Sequence, residues 1–287
     1  MNSPTRPLTL ALSRAVTAAV LVLAAASPLS PATAGTAGGT ARGAAIRTAP
    51  CFGQAATIVG TRRDDTLRGT PGRDVIVARG GNDRIVGGGG IDRICTGTGD
   101  DQVRTGSGGD YLEGRAGDDQ LGGGTGPDLL LGGRGADVLV GGDGSDLLAG
   151  QAHADLILPG PGGGWAYGGG GADTIIGGPG ADNLNGMLGV DTLRGRDGDD
   201  NLWGAHTDDG YASDTRANTL NGGAGSDVLE GDRGDDTLSS GPGTDQLFGL
   251  AGDDTLDGGG GDDTGDGGPH VNGDTCLSIE TVVDCEL

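Results

Sequence analysis

The sequence predicts an all-β protein: a parallel β-roll (a β-solenoid) of about 23 nonapeptide half-coils, with a capping strand at each end. Three observations carry that prediction. From Asp65 to Asp263 an Asp holds every ninth residue in all but two frames, without a slip of phase. Cut into nines from Gly60, the frames favour Gly at positions one, two and four and place Leu, Ile or Val at position eight in all but three, as in GGRGADVLV at 132–140. Gly accounts for 66 of the 287 residues and aromatics for only 2%, so a thick conventional core is not available.

The first thirty-four residues carry Arg6 and Arg14, an apolar run from about Ala15 to Ala26, and the small residues Ala32, Thr33 and Ala34, which read as a signal peptide over 1–34. The run is short of the roughly 20 apolar residues that cross a bilayer, so no transmembrane segment is expected in the mature chain. Residues 35–50, rich in Ala, Gly and Thr, read as a flexible leader. CFGQAATIV at 51–59 keeps the phase, with Ile58 inward but Ala56 in place of Asp, and reads as an N-terminal cap without a cation. Residues 267–287 read as a C-terminal cap in which Leu277, Ile279 and Val283 alternate as a closing strand. Four cysteines in an exported chain suggest two disulfides. Cys51 and Cys95 lie toward one end of a rigid array and Cys276 and Cys285 toward the other, which predicts those two pairs.

Within 60–266, side chains alternate across a strand, so an inward position eight sends positions seven and nine outward. Six residues then turn the chain, helped by Gly where the backbone must adopt angles closed to other residues. Two frames make one coil, and successive coils stack as two parallel sheets. One aliphatic residue per strand is little return for an ordering cost of about 1–2 kcal/mol per residue, so another source of stability is expected. The Asp column supplies a candidate. Each carboxylate sits one coil from the next, and Gly-rich turns free backbone carbonyls, a donor set that suits calcium better than the stricter octahedral magnesium.

The predicted ligands follow from phase. One edge takes Asp65, Asp83, Asp101, Asp119, Asp137, Asp155, Asp173, Asp191, Asp209, Asp227, Asp245 and Asp263. The other takes Asp74, Asp92, Asp110, Asp128, Asp146, then Gly164, Asp182, Asp200, then Asn218, Asp236 and Asp254, so both interruptions are expected on this second edge. Arg63, His153, Thr207 and Arg216 replace the position-four Gly, the first three on the first edge, and strained or empty turns are expected there.

These frames resemble the haemolysin-type, or repeats-in-toxin (RTX), calcium-binding nonapeptide, Gly-Gly-x-Gly-x-Asp-x-apolar-x, over roughly residues 60–266. The resemblance implies calcium between turns of adjacent coils, with the sixth-position Asp as side-chain ligand. It does not imply toxicity, because the sequence shows repeats and no separate active domain. The chain looks closer to stand-alone exported repeat proteins of bacterial type.

The formal charge of −23, with Arg and no Lys, favours cations as partners and argues against nucleic acid. The Arg62, Arg63, Arg68, Arg73, Arg79, Arg84 and Arg93 series reads as a solvated face. No zinc, nucleophile-elbow or phosphate-loop motif is present, and His153, His206 and His270 read as exposed turn residues. Adjacent carboxylates such as Asp100 and Asp101 recur in phase and read as outer charge rather than a glycosidase pair. Outward positions become apolar at Leu129, Leu131, Val138, Val140, Leu147, Leu156, Leu158, Trp165, Tyr167 and Ile176. That strip at 129–176 reads either as a surface for self-association or a cell-surface partner, or as drift toward β-forming residues. The reading that results is a secreted, non-enzymatic calcium-binding protein with a structural, adhesive or scaffolding role outside the cell. The alternative is an extracellular polysaccharide-acting enzyme or accessory module. An ice or crystal binder would need a more regular Thr row than the chain has.

Overall fold

A computed structural model describes residues 51–205, 215–269 and 273–285 of the protein; the signal-peptide and leader readings, and Asp209, His206, Thr207 and His270, lie outside the described residues. The described residues form two long parallel sheets and a two-stranded one, with no helix. One sheet has thirteen strands and runs from Ile58–Val59 through Val75–Gly80 and Arg93–Thr98 to Thr281–Val283. The other has twelve and runs from Thr66–Arg68 through Arg84–Gly89 to Thr275–Leu277. Successive strands alternate between the two sheets, so each coil contributes one strand to each, as the nonapeptide period predicts.

Position eight fills the space between the sheets. Ile76, Ile94, Leu112, Leu130 and Leu148 pair in register down one sheet. Ile85, Val103, Leu121, Leu139 and Ile157 do so down the other, and all ten are at most 3% exposed. Gly265, the barest of the three exceptions, leaves room for a neighbour: a Cβ there would lie 2.6 Å from Ile279 Cδ1, so the closing segment plugs the core at that level.

Three expectations are corrected. The turn is not a free six-residue loop, because central strands such as Arg84–Gly89 and Gln102–Ser107 continue through positions one to three, whose backbone still pairs with the neighbouring coil. The closing segment does not alternate as read. Cys276 takes the inward register against Leu256, Ile279 and Val282 pack on the core, and Leu277 and Val283 are about half exposed at 50% and 49%. The apolar strip is not one surface. Leu129, Leu131, Leu147, Trp165 and Tyr167 lie on the thirteen-stranded sheet, whereas Val138, Val140, Leu156, Leu158 and Ile176 lie on the other. Consecutive frames necessarily supply opposite faces of the roll.

The largest departure is a step in register. Neighbouring strands are eighteen residues apart along most of the roll, as with Leu184 and Leu202. Leu193 pairs with Leu220 and Leu202 with Leu229, a step of twenty-seven in both sheets. One nine-residue frame therefore adds no rung to either ladder. Because nine is half a coil, every later frame moves to the opposite edge from the one that phase predicts.

Both predicted disulfides are present, Cys51–Cys95 and Cys276–Cys285. The first holds Cys51 and Phe52 over Val75 and Val77 on the outer face of the first coils. Phe52 also meets the edge of Tyr111, and the Arg93 guanidinium lies 4.7 Å from that ring's centre. The remaining arginines of that series are exposed or half-buried.

Candidate metal centres

The position-six aspartates stack along the two edges of the roll, almost wholly buried: Asp92 is 0% exposed and Asp101, Asp110 and Asp119 are 1% exposed. Each has two oxygens with separate tasks. Oδ1 accepts the backbone N–H of the aspartate one coil earlier, as Asp101 does from Asp83 at 2.7 Å and Asp128 from Asp110 at 2.7 Å. The aspartate's own carbonyl accepts the N–H of position seven one coil later, as Asp83 does from Gln102 at 2.8 Å. These bonds pin the turn edge coil to coil.

The step of twenty-seven redraws the columns. The first edge now runs from Asp65 through Asp83, Asp101, Asp119, Asp137, Asp155, Asp173 and Asp191 to Asn218, Asp236 and Asp254. The second runs through Asp74, Asp92, Asp110, Asp128 and Asp146, passes Gly164, and continues through Asp182 and Asp200 to Asp227, Asp245 and Asp263. The two interruptions thus fall one on each edge, not both on the second. Arg216 likewise moves to the first edge. Of the position-four substitutions, His153 takes the left-handed backbone, at φ 83°, and Arg63 does not.

The second oxygen is where the chemistry lies. In Asp83, Asp92, Asp101, Asp110, Asp119, Asp128, Asp137, Asp146, Asp155, Asp173, Asp200, Asp227, Asp245, Asp254 and Asp263, Oδ2 is buried and accepts no hydrogen bond. A buried, unsatisfied carboxylate oxygen costs more than a kilocalorie per mole, and one repeated along two columns cannot be incidental. The gap that it faces also holds a backbone acceptor. A Cβ on Gly114 would lie 2.5 Å from Asp119 Oδ2 and 2.6 Å from the Gly132 carbonyl oxygen; the same holds at Gly123, with Asp128 Oδ2 at 2.3 Å and the Gly141 carbonyl oxygen at 2.7 Å. Glycine at position one keeps that space open in most frames; Ala78 stands there beside Asp83, and in the frames of Asp101, Asp110 and Asp245 the hydroxyls of Thr96, Thr105 and Ser240 donate to the Gly114, Gly123 and Gly258 carbonyls.

Burial pushes several of these carboxyls up from their ordinary 3.8, with stacked neighbouring aspartates adding to the effect: to about 8 for Asp119 and Asp155, about 7 for Asp128 and Asp200, and about 6 for Asp92, Asp101 and Asp254. A column of buried like charges is unfavourable at neutral pH without a counter-charge. Paired oxygens, all hard donors, fit a hard divalent cation. Among the described residues no group of three or more His, Cys, Asp or Glu converges, and the donors at glycine-lined gaps such as those of Asp119 and Asp128 are carboxylate plus backbone carbonyl.

Four position-six aspartates differ. Asp65 Oδ2 accepts the Thr61 N–H at 2.6 Å and its hydroxyl at 2.9 Å, and Asp74 Oδ2 accepts the same groups of Thr70 at the same distances. Asp182 Oδ2 accepts the Gly178 N–H at 2.8 Å and Asp236 Oδ2 the Asp232 N–H at 2.7 Å. Two further features escape the period of nine. Position-five side chains cap their own row, as Asp64 accepts the Asn82 N–H, Asp100 the Asp118 N–H and Asp118 the Ala136 N–H, which is the role of the adjacent carboxylates. Asp232, at position two, puts a buried carboxylate beside Asn218, whose amide donates to it at 3.1 Å. Only its unusual place in the frame could have flagged it.

The family described as RTX calcium-binding nonapeptide repeat matches in eight segments, some of them overlapping, between residues 59 and 269. No individual curated protein matches the chain.

Proposed function

The chain belongs to the RTX calcium-binding nonapeptide repeat family, whose repeats bind calcium ions, and from that membership we propose a secreted protein that folds around calcium and serves a structural, adhesive or scaffolding role outside the cell. The observation that supports it best is the pair of columns of buried Oδ2 atoms without a hydrogen-bond donor. The residues that would hold calcium are the aspartates with that open oxygen, Asp83 and Asp128 among them, together with the position-one carbonyls that face the same gaps. Bound there, calcium supplies the positive charge that the stacked carboxylates lack. The protein's own contribution is to hold each carboxylate by Oδ1, present Oδ2 in a dry gap, and in most frames keep glycine where a side chain would fill it. Binding free energy is then folding free energy, and a chain of charge −23 would compact where calcium is abundant.

Two disulfides fit an oxidising setting, and no helix among the described residues is long and apolar enough to cross a membrane. The domain plan that accompanies this reading is a signal peptide at 1–34, a leader at 35–50, caps at 51–59 and 267–287, and the roll at 60–266. Far-ultraviolet circular dichroism after chelation, with calcium and magnesium added separately, tests the reading. A cooperative gain of β structure with calcium alone, in the roughly 0.1–1 mM range of extracellular modules, is expected. A chain already β-rich in chelator and indifferent to calcium would overturn it.

A further inference from the structure

The four aspartates whose Oδ2 is already bonded are not scattered. Asp65 and Asp74 each begin an edge, with Ala56 standing one coil before Asp74. Asp182 follows Gly164 and Asp236 follows Asn218. Every position-six aspartate with no aspartate one coil before it has its second oxygen capped by the N–H of position two in its own turn. In every other described frame up to 266 that carries aspartate at position six, an aspartate does stand one coil before.

The backbone divides along the same line. In the turns with a preceding aspartate, position two is left-handed, with φ between 72° and 126°, even where the residue is Arg79, Arg115, Gln151, Met187, Arg196 or Leu250. Non-glycine residues bear strain in that region, and strain kept at six turns points to function. In the capped turns position two is Thr61, Thr70, Gly178 or Asp232, none of them left-handed. Gly178 could adopt that conformation at no steric cost and does not, so the residue type alone does not set the choice. Rotating the peptide between positions one and two decides whether a donor N–H meets Oδ2 or is turned away from it.

We propose, building on the calcium reading above, that a position-six aspartate is a cation ligand only where another aspartate stands one coil before it, and that Asp65, Asp74, Asp182 and Asp236 are structural hooks that each open a run of sites. A lone carboxylate is satisfied by its own turn's N–H. A second carboxylate stacked one coil later adds charge that no backbone donor neutralises, and the turn opens to a cation instead. Among the described frames up to 266 the runs are then Asp83 to Asp191, Asp254, Asp92 to Asp146 and Asp200 to Asp263, which makes sixteen sites at most there.

The rule gives counts that independent ligands would not. Replacing a mid-run aspartate removes its own site and turns its successor into a hook; replacing the last of a run removes one site. Ions per full-length chain, counted by native mass spectrometry in calcium with a magnesium-loaded control, should fall by two in Asp128→Asn and by one in Asp146→Asn. The double variant Asn218→Asp with Asp232→Gly should gain two, one at the new aspartate and one at Asp236. Loss of one ion in both single variants, or a gain of one or none in the double variant, would overturn the rule. A wild-type chain that holds no calcium at all would overturn the functional reading itself.

Discussion

Gly164 and Asn218 both stand where the repeat places aspartate, and the roll treats them differently. Gly164 gives up both side-chain oxygens: its backbone still donates to Asp182 Oδ1 at 3.0 Å and accepts the Asn183 N–H at 2.9 Å, but it has no side chain to receive the Asp146 N–H. Asn218 gives up one. Its Oδ1 accepts the Asp191 N–H at 2.8 Å as an aspartate would, while its amide nitrogen occupies the place of Oδ2 and donates to Asp232. The difference separates two tasks that the intact repeat combines. Holding the coils together needs only Oδ1, which an amide can supply; attracting a cation needs the charge and the open Oδ2, which it cannot.

Installing each kind of interruption in an intact run sharpens that contrast. Asp128→Gly should cost about 3 kcal/mol of stability in calcium, because it removes the Oδ1 bond to a charged acceptor and the site together. Asp128→Asn keeps the bond and should cost about half as much; denaturant unfolding in saturating calcium measures both. In chelator the effect of Asp128→Asn on residual β content should have the opposite sign, since a neutral amide replaces a buried carboxylate whose pKa burial has pushed to about 7.

Acidity should act on the ion-free roll in the same sense. Burial holds Asp92 at about 6 and Asp155 at about 8 in the folded roll against an ordinary 3.8, so folding takes up protons. Whatever β structure forms without calcium should therefore be greatest near pH 4 and be lost as pH rises toward 8, which circular dichroism in chelator across that window would show. A flat or rising profile would contradict the burial of these carboxylates. The smallest effect is expected at the outer row: Asp118→Ala loses the cap on the Ala136 N–H at an exposed site and should lower Tm by about 1–2 °C with the ion count unchanged.

Much of this was legible in the sequence because the repeat is short and each position has one physical task. Position eight had to be inward, position six had to gather at the turns, and the cysteine pairs followed from a rigid array. The edge assignment beyond Asp200 was not legible, for a definite reason. Dropping one frame of nine leaves a period of nine intact, and only the period of eighteen, which fixes the edge, is shifted. The frame at 204–212 did carry a signal, with Thr207 at position four and Tyr211 at position eight, where the frame containing Gly164 keeps Gly162 and Ala166 and stays in the ladder. The capped aspartates were hidden for another reason. Asp182 and Asp128 are identical in local sequence role, and what distinguishes them is a neighbour one coil away together with the handedness of position two.

Calcium bound and β content, followed on the same sample of the full chain by equilibrium dialysis and circular dichroism, test most directly whether the open carboxylate columns are what folds the roll. The two curves should superimpose over the whole titration. β structure complete before calcium binds, or calcium bound without any gain of β structure, would contradict it.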